Sequence, residues 1–268
     1  MYPFTYVRAT ALADVTQRLK ADPDAKLLAG GMTLLPTMKM RLAAPSQLID
    51  IGRLTDLTGV SAEGDGLTIG AATRHAEVAA HATVQSVIPA LAALAQGIGD
   101  PQVRARGTLG GSVANSDPAA DYPAAVLGLD ATVITDRRSI PAGEFFKGLF
   151  TTALATDEVI RAIRFTRPVR AAYAKFAQPA SGYAMAGVMV AELATGIRVA
   201  VTGAGPCVFR WTDAEAALTR HFSSESIDAL SLNPSELNTD LHAGAAYRAQ
   251  LVKVMAAQAV ARLTGTAR

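Results

Sequence analysis

The most informative segment of the chain is Leu27-Leu28-Ala29-Gly30-Gly31-Met32-Thr33-Leu34-Leu35-Pro36, in which an apolar run ends in two adjacent glycines. The apolar run predicts a short strand, and the spacing of the later leucines with Met38 predicts a helix. Glycines leave backbone N–H groups uncovered, and successive N–H groups at the start of a helix form a cradle for an anion. Because no lysine accompanies the loop, we expect a pyrophosphate diester rather than a reactive terminal phosphate. An ordinary tight turn is the alternative that this segment alone leaves open.

A second pair of glycines lies further along the chain, in Gly107-Thr108-Leu109-Gly110-Gly111-Ser112. Here too the missing side chains permit a close approach of the backbone, and two hydroxyl groups flank the pair. The following Asp117-Pro118 predicts the start of a helix, because aspartate caps helices and proline is tolerated in their first turn. Asp121 would then lie one turn into this helix, where its carboxylate can bind sugar-like hydroxyls or simply complement the helix dipole. Two separate glycine pairs suggest an elongated ligand, and a dinucleotide has that length.

Strand and helix signals alternate up to Arg167-Pro168, which is the best candidate for a boundary between domains. Beyond it, three strand-like stretches are followed by helices, an order that indicates an α+β domain. Thr73 is expected to cap the helix predicted at 73–80. Helices are predicted at 10–19, 73–80, 84–96, 213–220 and 245–263, and strands at 47–51, 67–71, 131–134, 158–165, 172–177, 184–193 and 197–202.

Composition excludes several classes of protein. The chain has 268 residues, a formal net charge of +2 and a single cysteine, Cys207. The small net charge argues against a nucleic-acid-binding protein. One cysteine excludes an intramolecular disulfide, a local four-thiolate iron–sulfur cluster and a cysteine-rich zinc site. No signal peptide and no apolar run long enough for a membrane span is visible, so we expect a cytoplasmic protein without a transmembrane segment.

Familiar catalytic and nucleotide-binding motifs are absent from the sequence. There is no Gly-x-Ser-x-Gly elbow, no third glycine to complete a Rossmann fingerprint and no Walker loop. The four histidines do not have metal-ligand spacing, so no metal site is expected. Each histidine is interpreted as a surface or core-edge residue.

Together, the two glycine motifs closely resemble those of the FAD-binding medium subunit of molybdenum hydroxylases. This family includes the carbon monoxide dehydrogenase medium subunit and the xanthine dehydrogenase FAD subunit. Each motif alone would be a weak signal, but their combination and order are specific. The resemblance covers nearly the whole chain, with further matching segments at 6–9, 39–42, 50–52, 98–104, 150–152 and 239–248.

The resemblance implies an α+β fold. It consists of a two-lobed FAD-binding domain of the vanillyl-alcohol-oxidase type and a small C-terminal α+β domain with an antiparallel sheet and helices. The expected boundaries are 1–57 for the first lobe, 58–167 for the second lobe and 168–268 for the C-terminal domain.

The resemblance also implies the residues that contact FAD. The backbone of the first glycine loop would hold the pyrophosphate, the second motif would line the ribityl and pyrophosphate region, and Asp121 would bind ribityl hydroxyls. Ile98 matches an apolar position near the cofactor, and Ile160, Lys175 and Tyr183 match positions at the flavin end. From the residues alone, Ile160 and Tyr183 could equally be core residues, and Lys175 an exposed strand charge. The full set of expected cofactor-binding residues is Leu28, Ala29, Gly30, Gly31, Met32, Thr33, Leu34, Ile98, Thr108, Gly110, Gly111, Ser112, Asp121, Ile160, Lys175 and Tyr183.

Three departures from the family pattern concern the surroundings of the cofactor. Met32-Thr33 stands where the family commonly has a polar residue followed by serine, so that only the hydroxyl of Thr33 is kept. Asn115 stands where many relatives have histidine, and Ser181-Gly182-Tyr183 replaces a more usual Gly-Asp-aromatic run. None of these differences removes the expectation of FAD binding.

By this resemblance the chain is an electron-transfer subunit of a molybdenum hydroxylase complex, expected as a dimer of heterotrimers. A molybdopterin-containing large subunit would oxidise the substrate, and a small subunit with two [2Fe–2S] clusters would carry single electrons. FAD in this chain would then pass them to an external acceptor, with no side chain acting as nucleophile or base. A stand-alone FAD-dependent oxidoreductase is the alternative enzyme, and a nucleotide-binding module without redox function is the non-enzymatic alternative. Neither the substrate nor the acceptor is indicated by the sequence.

Overall fold

The computed structural model describes residues 1–265, and its first sheet is formed by three parallel strands near the N-terminus. The third strand in sequence lies between the other two, and its Ile49 pairs with Val7 on one side and Leu27 on the other. Ile49 is fully buried, in the same apolar cluster as Val15 and Leu57. The strand–helix–strand unit predicted around the first glycine loop is confirmed. Its elements are β1 (Thr5–Arg8), α1 (Leu12–Ala21), β2 (Lys26–Leu28), α2 (Leu34–Lys39) and β3 (Gln47–Asp50).

The second sheet is antiparallel and has five strands, in the spatial order fourth, fifth, tenth, sixth and seventh along the chain. The tenth strand lies at the centre and joins two hairpins. Its Ile163 and Phe165 are fully buried in one core with Leu67, Tyr122 and Phe145. The elements are β4 (Val60–Glu63), β5 (Gly66–Gly70), α3 (His75–Ala80), α4 (Ala82–Val87), α5 (Pro89–Gln96), α6 (Pro101–Arg106), α7 (Leu109–Asn115), α8 (Tyr122–Gly128), β6 (Thr132–Thr135), β7 (Ser139–Pro141), α9 (Ala142–Phe145), β8 (Phe146–Gly148), β9 (Thr151–Thr152) and β10 (Ile160–Thr166), preceded by a 3-10 turn at Thr55–Leu57.

Two helix boundaries predicted between residues 73 and 96 are wrong. The single helix expected at 84–96 is divided into α4 and α5, because Pro89 has no backbone N–H and Ile88 leaves the helical region with φ −138° and ψ 74°. Thr73 does not cap α3. Its hydroxyl instead accepts a hydrogen bond from the Gly59 N–H at 3.0 Å, which ties the helix entry to the loop before β4.

The third sheet is antiparallel, and both of its faces are covered by helices. Alternate side chains of its longest strand belong to different cores: Val188 and Val190 lie with Val252 of the C-terminal helix, whereas Met189 and Ala191 join the core of the second sheet. The predicted order of strands followed by helices is confirmed. The elements are β11 (Arg170–Ala177), β12 (Ala184–Leu193), β13 (Gly196–Thr202), β14 (Phe209–Arg210), α10 (Thr212–Arg220), α11 (Ser224–Asp228) and α12 (Ala245–Thr264), with a 3-10 turn at Pro234–Glu236.

None of the helices in the described part of the chain combines the length and the apolar character needed to cross a bilayer.

Candidate functional site

A cavity of about 610 Å³, hereafter the main cavity, is lined by residues from all three sheet regions. Every residue expected to bind a cofactor lines this cavity except Lys175, which is not part of its lining. The predicted residues that line the main cavity are Leu28, Ala29, Gly30, Gly31, Met32, Thr33, Leu34, Ile98, Thr108, Gly110, Gly111, Ser112, Asp121, Ile160 and Tyr183.

The first glycine loop presents a run of free backbone donors to the main cavity. Within residues 1–265, the N–H groups from Gly30 to Leu34 donate no hydrogen bond, and Leu35 is the first to donate, to the Gly31 carbonyl at 3.2 Å. Gly31 has φ +74°, a left-handed conformation that favours glycine and turns the chain into α2. We call the N–H groups of residues 30–34 the N–H nest. Such a run of aligned donors fits an anion.

Gly30 lacks a side chain for a steric reason rather than a conformational one. A β-carbon placed on Gly30 would lie 2.1 Å from the carbonyl oxygen of Arg106, at the end of α6. The first loop therefore packs backbone against backbone on the connection between α6 and α7. This contact holds the N–H nest against the second sheet region.

The second glycine pair serves a different purpose. It lies in the first turn of α7, and the N–H of Gly110 donates to the Ala71 carbonyl at 2.7 Å. The N–H of Gly111 donates to the Thr108 hydroxyl, which caps the helix at 3.2 Å. Because a β-carbon on Gly110 would lie 2.5 Å from the Ala71 β-carbon, the glycine permits α7 to pack closely on the end of β5. This pair supplies close approach of the backbone, and its N–H groups are already bonded.

The position of Asp121 differs from the predicted one. Asp117 does not start a helix, because its carboxylate accepts the Ala119 N–H at 2.9 Å in a turn, and α8 begins only at Tyr122. Asp121 therefore precedes the helix, makes no capping hydrogen bond and faces the main cavity. Its buried carboxylate accepts the Tyr173 hydroxyl at 2.6 Å.

Lys175 is a buried partner of Asp121, and the interpretation of Lys175 as an exposed strand charge is wrong. Its side chain is 11% exposed, and its Nζ lies 3.1 Å from the Asp121 carboxylate. The ammonium also donates to the carbonyls of Gly97 at 2.8 Å and Gly182 at 3.0 Å. Burial raises the pKa of Asp121, and the Lys175 ammonium and the Tyr173 hydroxyl oppose this rise. Lys175 thus joins the two loops that carry Ile98 and Tyr183.

The three remaining predicted residues form apolar and aromatic walls. Ile98 is half-buried, and the Arg104 guanidinium donates to its carbonyl at 3.1 Å. Ile160 is buried at the start of β10, so that it is both a core residue and part of the wall. Tyr183 is 43% exposed and is therefore no core residue. Burial raises the pKa of the Tyr183 hydroxyl, and the carboxylates of Asp117 and Asp121 add to this effect.

His75 is a wall residue that sequence reasoning missed. It is buried, and its Nδ1 has no hydrogen-bond partner within residues 1–265. Burial, with a contribution from the Arg104 guanidinium, lowers its pKa to about 4. A lone histidine carries little signal, and the other lining residues outside the predicted set come from α6, α7 and several loops, whose meeting only the tertiary structure reveals. These additional lining residues include Val103, Ala114, Asn115, Asp117, Leu154, Glu158, Val159 and Ser181.

The residues of the main cavity fit a dinucleotide. The N–H nest suits a pyrophosphate, Asp121 is a buried acceptor for hydroxyl groups, and Ile98 with Ile160 provides apolar walls for a ring system. Among the described residues, no cluster of histidine, cysteine, aspartate or glutamate could hold a metal ion.

Comparison with known proteins shows the family to which the chain belongs. The family model for the FAD-binding domain in molybdopterin dehydrogenase matches residues 2–168. The chain is 36% identical to the nicotine 6-hydroxylase medium subunit of Paenarthrobacter nicotinovorans, over 92% of this chain and 93% of that one. It is 34% identical to the glyceraldehyde dehydrogenase medium chain of Sulfolobus acidocaldarius, over 97% and 98%. A solved chain of carbon monoxide dehydrogenase from Hydrogenophaga pseudoflava matches with a TM-score of 0.90 and 34% identity, covering 100% of both chains. The predicted α+β fold is thereby confirmed.

Proposed function

Because this chain belongs to the family of FAD-binding domains in molybdopterin dehydrogenases, we propose that its FAD collects electrons from the [2Fe–2S] clusters of a partner subunit and delivers them to an external acceptor. The chain is an FAD-binding medium subunit of a molybdenum hydroxylase complex, and such complexes are oxidoreductases. In the homologous complexes the large subunit carries the molybdopterin.

The observation that carries the proposal is the combination of a free N–H nest with two carboxylates, Asp121 and Glu158, that are already paired. Asp121 is paired with Lys175, and Glu158 is bonded to Arg138 at 2.8 Å. The Arg138 guanidinium, together with the Ala155 N–H and the Thr135 hydroxyl, lowers the pKa of Glu158 to about 2. Neither of these two carboxylates is free to act as a general base on an organic substrate. The site supplies binding and orientation, which is what an electron-transfer flavoprotein requires.

We assign the parts of FAD to residues by their chemistry. FAD, when bound, exchanges electrons both singly and in pairs, a property of the cofactor itself. The N–H nest holds the pyrophosphate, Asp121 accepts hydroxyl groups of the ribityl chain, and the walls of the main cavity exclude water from the flavin end. The proposed binding residues are Leu28 to Leu34 together with Ile98, Thr108, Gly110, Gly111, Ser112, Asp121, Ile160 and Tyr183, and Lys175 acts through Asp121 and the flanking loops.

The proposed partners follow from the number of thiols. A chain whose only cysteine is Cys207 does not ligate a four-thiolate cluster, so the [2Fe–2S] clusters belong to a small subunit. With the molybdopterin-binding large subunit, we propose a dimer of heterotrimers as the working assembly.

The test compares the complex with the isolated chain. The purified complex is expected to contain one FAD per copy of this chain, and substrate should reduce that FAD only when the cluster-bearing subunit is present. Gly31→Val should remove the flavin, whereas Gly143→Val, at an exposed glycine with open space around it, should retain it. A complex without flavin would refute FAD binding. Turnover of an organic substrate by the isolated chain would favour the alternative, a stand-alone FAD-dependent oxidoreductase.

A further inference from the structure

A second cavity of about 270 Å³ lies beside the main cavity and is lined by four arginines, Arg8, Arg53, Arg74 and Arg106. We call it the arginine cavity. The other residues of its wall are Ala29, Asp50, Gly52, Ala72 and Thr108. Its only acidic lining residue is Asp50, so the wall carries a clear excess of positive charge.

The single carboxylate of this wall, that of Asp50, already accepts hydrogen bonds from neighbouring residues. The Asp50 side chain accepts hydrogen bonds from the Tyr6 hydroxyl and from the Gly52 N–H, the latter at 2.8 Å, and Arg8 lies 3.4 Å away. Asp50 therefore neutralises Arg8 in part and is not free to pair with the other three arginines.

Arg53, Arg74 and Arg106 form no ion pair with any of the side chains that the structure describes. Most other arginines around this fold have an acidic partner, such as Arg170 with Glu192 at 2.6 Å. All four arginines of this wall are exposed, and positive charges that line one concave surface repel one another. An anion bound in the arginine cavity would offset this repulsion.

We propose that the arginine cavity binds a phosphate-bearing anion. Guanidinium groups donate paired hydrogen bonds to phosphate and carboxylate oxygens. A phosphate has enough oxygens for several arginines at once, whereas a carboxylate has two. The volume, less than half that of the main cavity, suits a phosphate or a diphosphate group and is too small for a second complete dinucleotide.

The proposed anion would share part of its wall with FAD. Ala29 and Thr108 line both cavities. Ala29 leads into the N–H nest, and the Thr108 hydroxyl caps α7. An anion held by Arg74 and Arg106 therefore sits against the far side of the segments that contact the cofactor, and its binding should tighten the retention of FAD.

The experiment uses the full chain with and without bound FAD and, in parallel, the whole complex. Calorimetric titrations at constant ionic strength are carried out with inorganic pyrophosphate, ADP and adenosine. Pyrophosphate and ADP should bind with a dissociation constant on the order of 0.1 mM, and adenosine should not bind. Equal affinities would identify the diphosphate group alone as the ligand, and tighter binding of ADP would identify a nucleotide.

The matched variants are Arg53→Gln combined with Arg74→Gln, and Arg220→Gln as a control at an exposed arginine on α10. The double variant should weaken pyrophosphate binding about ten-fold or more while retaining its FAD absorbance, and the control should bind as the wild type does. Equal binding by the double variant would overturn the proposal. So would binding that occurs only in the FAD-free chain, which would place the anion in the N–H nest, or binding that is absent from the whole complex.

Discussion

Gly30 and Gly110 both stand where no β-carbon fits, but they contribute to the site in different ways. Gly30 leaves its N–H free for a ligand and packs on the Arg106 carbonyl, whereas Gly110 uses its N–H to bond the Ala71 carbonyl. The first glycine motif therefore offers backbone donors to a ligand, whereas the second permits α7 to pack closely on the end of β5. The two motifs have similar sequences, and they differ in whether the glycine N–H groups already donate to an acceptor within the protein.

Gly30→Ala should disturb the site although the backbone conformation of Gly30 is open to alanine. The new β-carbon would lie 2.1 Å from a carbonyl oxygen, so the loop must move away from α6. We expect a loss of FAD and a decrease of about 1–3 kcal/mol in the free energy of unfolding. Flavin content after gel filtration and urea unfolding measure the two effects. Gly143→Ala, where nothing lies within 4 Å of the new atom, is the control and should change neither.

Lys175→Met should leave Asp121 as a buried carboxylate without a counter-charge. Breaking such a pair costs about 3–5 kcal/mol, and here the carbonyls of Gly97 and Gly182 lose their donor as well. Urea unfolding measures the loss. Adding Asp121→Asn to this variant should recover a large part of it, because the uncompensated charge is then removed. Lys147→Met, at an exposed lysine, should have little effect.

The pH dependence of the Lys175→Met variant separates charge from packing. Without Lys175, the pKa of Asp121 in the folded state should rise further above its unfolded value of 3.8. A raised carboxyl pKa stabilises the fold fully below pH 3.8, and this contribution is lost as the pH rises through the folded-state pKa. The variant should therefore approach the wild type in stability as the pH falls. A difference in stability that stays constant with pH would show that only packing is lost.

His75 should make the protein less stable in mild acid. Burial lowers its pKa to about 4 in the fold, against 6.5 for a histidine exposed to water. As the pH falls below 6.5 the unfolded chain takes up a proton that the fold accepts only near pH 4, so stability is lost over this interval. We expect a loss of about 2 kcal/mol between pH 7 and pH 5. His75→Phe should remove this part of the pH dependence and the control His221→Phe should not; an unchanged dependence in His75→Phe would contradict the assignment.

The residues of the first glycine loop could be predicted from sequence because they are contiguous and chemically distinctive. The environment of Lys175 could not, since its partners Asp121 and Gly97 are distant in sequence and reach it only when β11 packs beside α5. His75 was missed for the same reason. Local chemistry identifies a loop, but burial of a charged or polar side chain depends on tertiary packing.

At the scale of elements, strands were predicted better than helix boundaries. The long apolar run of β12 is visible in sequence because both of its faces are buried. Helix starts depend on competition for a few hydrogen bonds. Asp117 and Thr73 are both good capping residues, yet each makes a different bond, one to Ala119 and the other to Gly59.

The start of α7 offers a test of one such bond. Thr108→Ala removes the hydroxyl that accepts the Gly111 N–H, and it should cost about 1 kcal/mol of stability and weaken FAD binding at the same wall. Thr108→Ser keeps the acceptor and should behave nearly as the wild type. Thermal unfolding and a fluorescence titration with FAD measure both effects. Equal losses in the two variants would show that the methyl group matters and the cap does not.

At the scale of the whole molecule, the three sheet regions are held together in two ways. Apolar packing joins the second and third regions, because Met189 of β12 lies in the core of the second sheet. The first region meets the second through the backbone contact of Gly30 with Arg106 and through an apolar cluster in which Ala72 and Val159 join Ile49 and Leu57. We propose that residues 1–57, 58–167 and 168–268 are structural units and that FAD connects all three, since its cavity takes residues from each.

This connection predicts that FAD acts on distant segments together. Binding should stabilise the fold by about 2.7 kcal/mol at a free FAD concentration one hundred times the dissociation constant. Hydrogen exchange should slow in the loop at 29–33, in the Ile98-Gly99 connection and in the loop at 178–183, which belong to different units. Gly30→Ala should lose this protection in all three segments. If FAD protected the first loop alone, the cofactor would be bound by one unit, and the packing of the apo fold would be sufficient to hold the others in place.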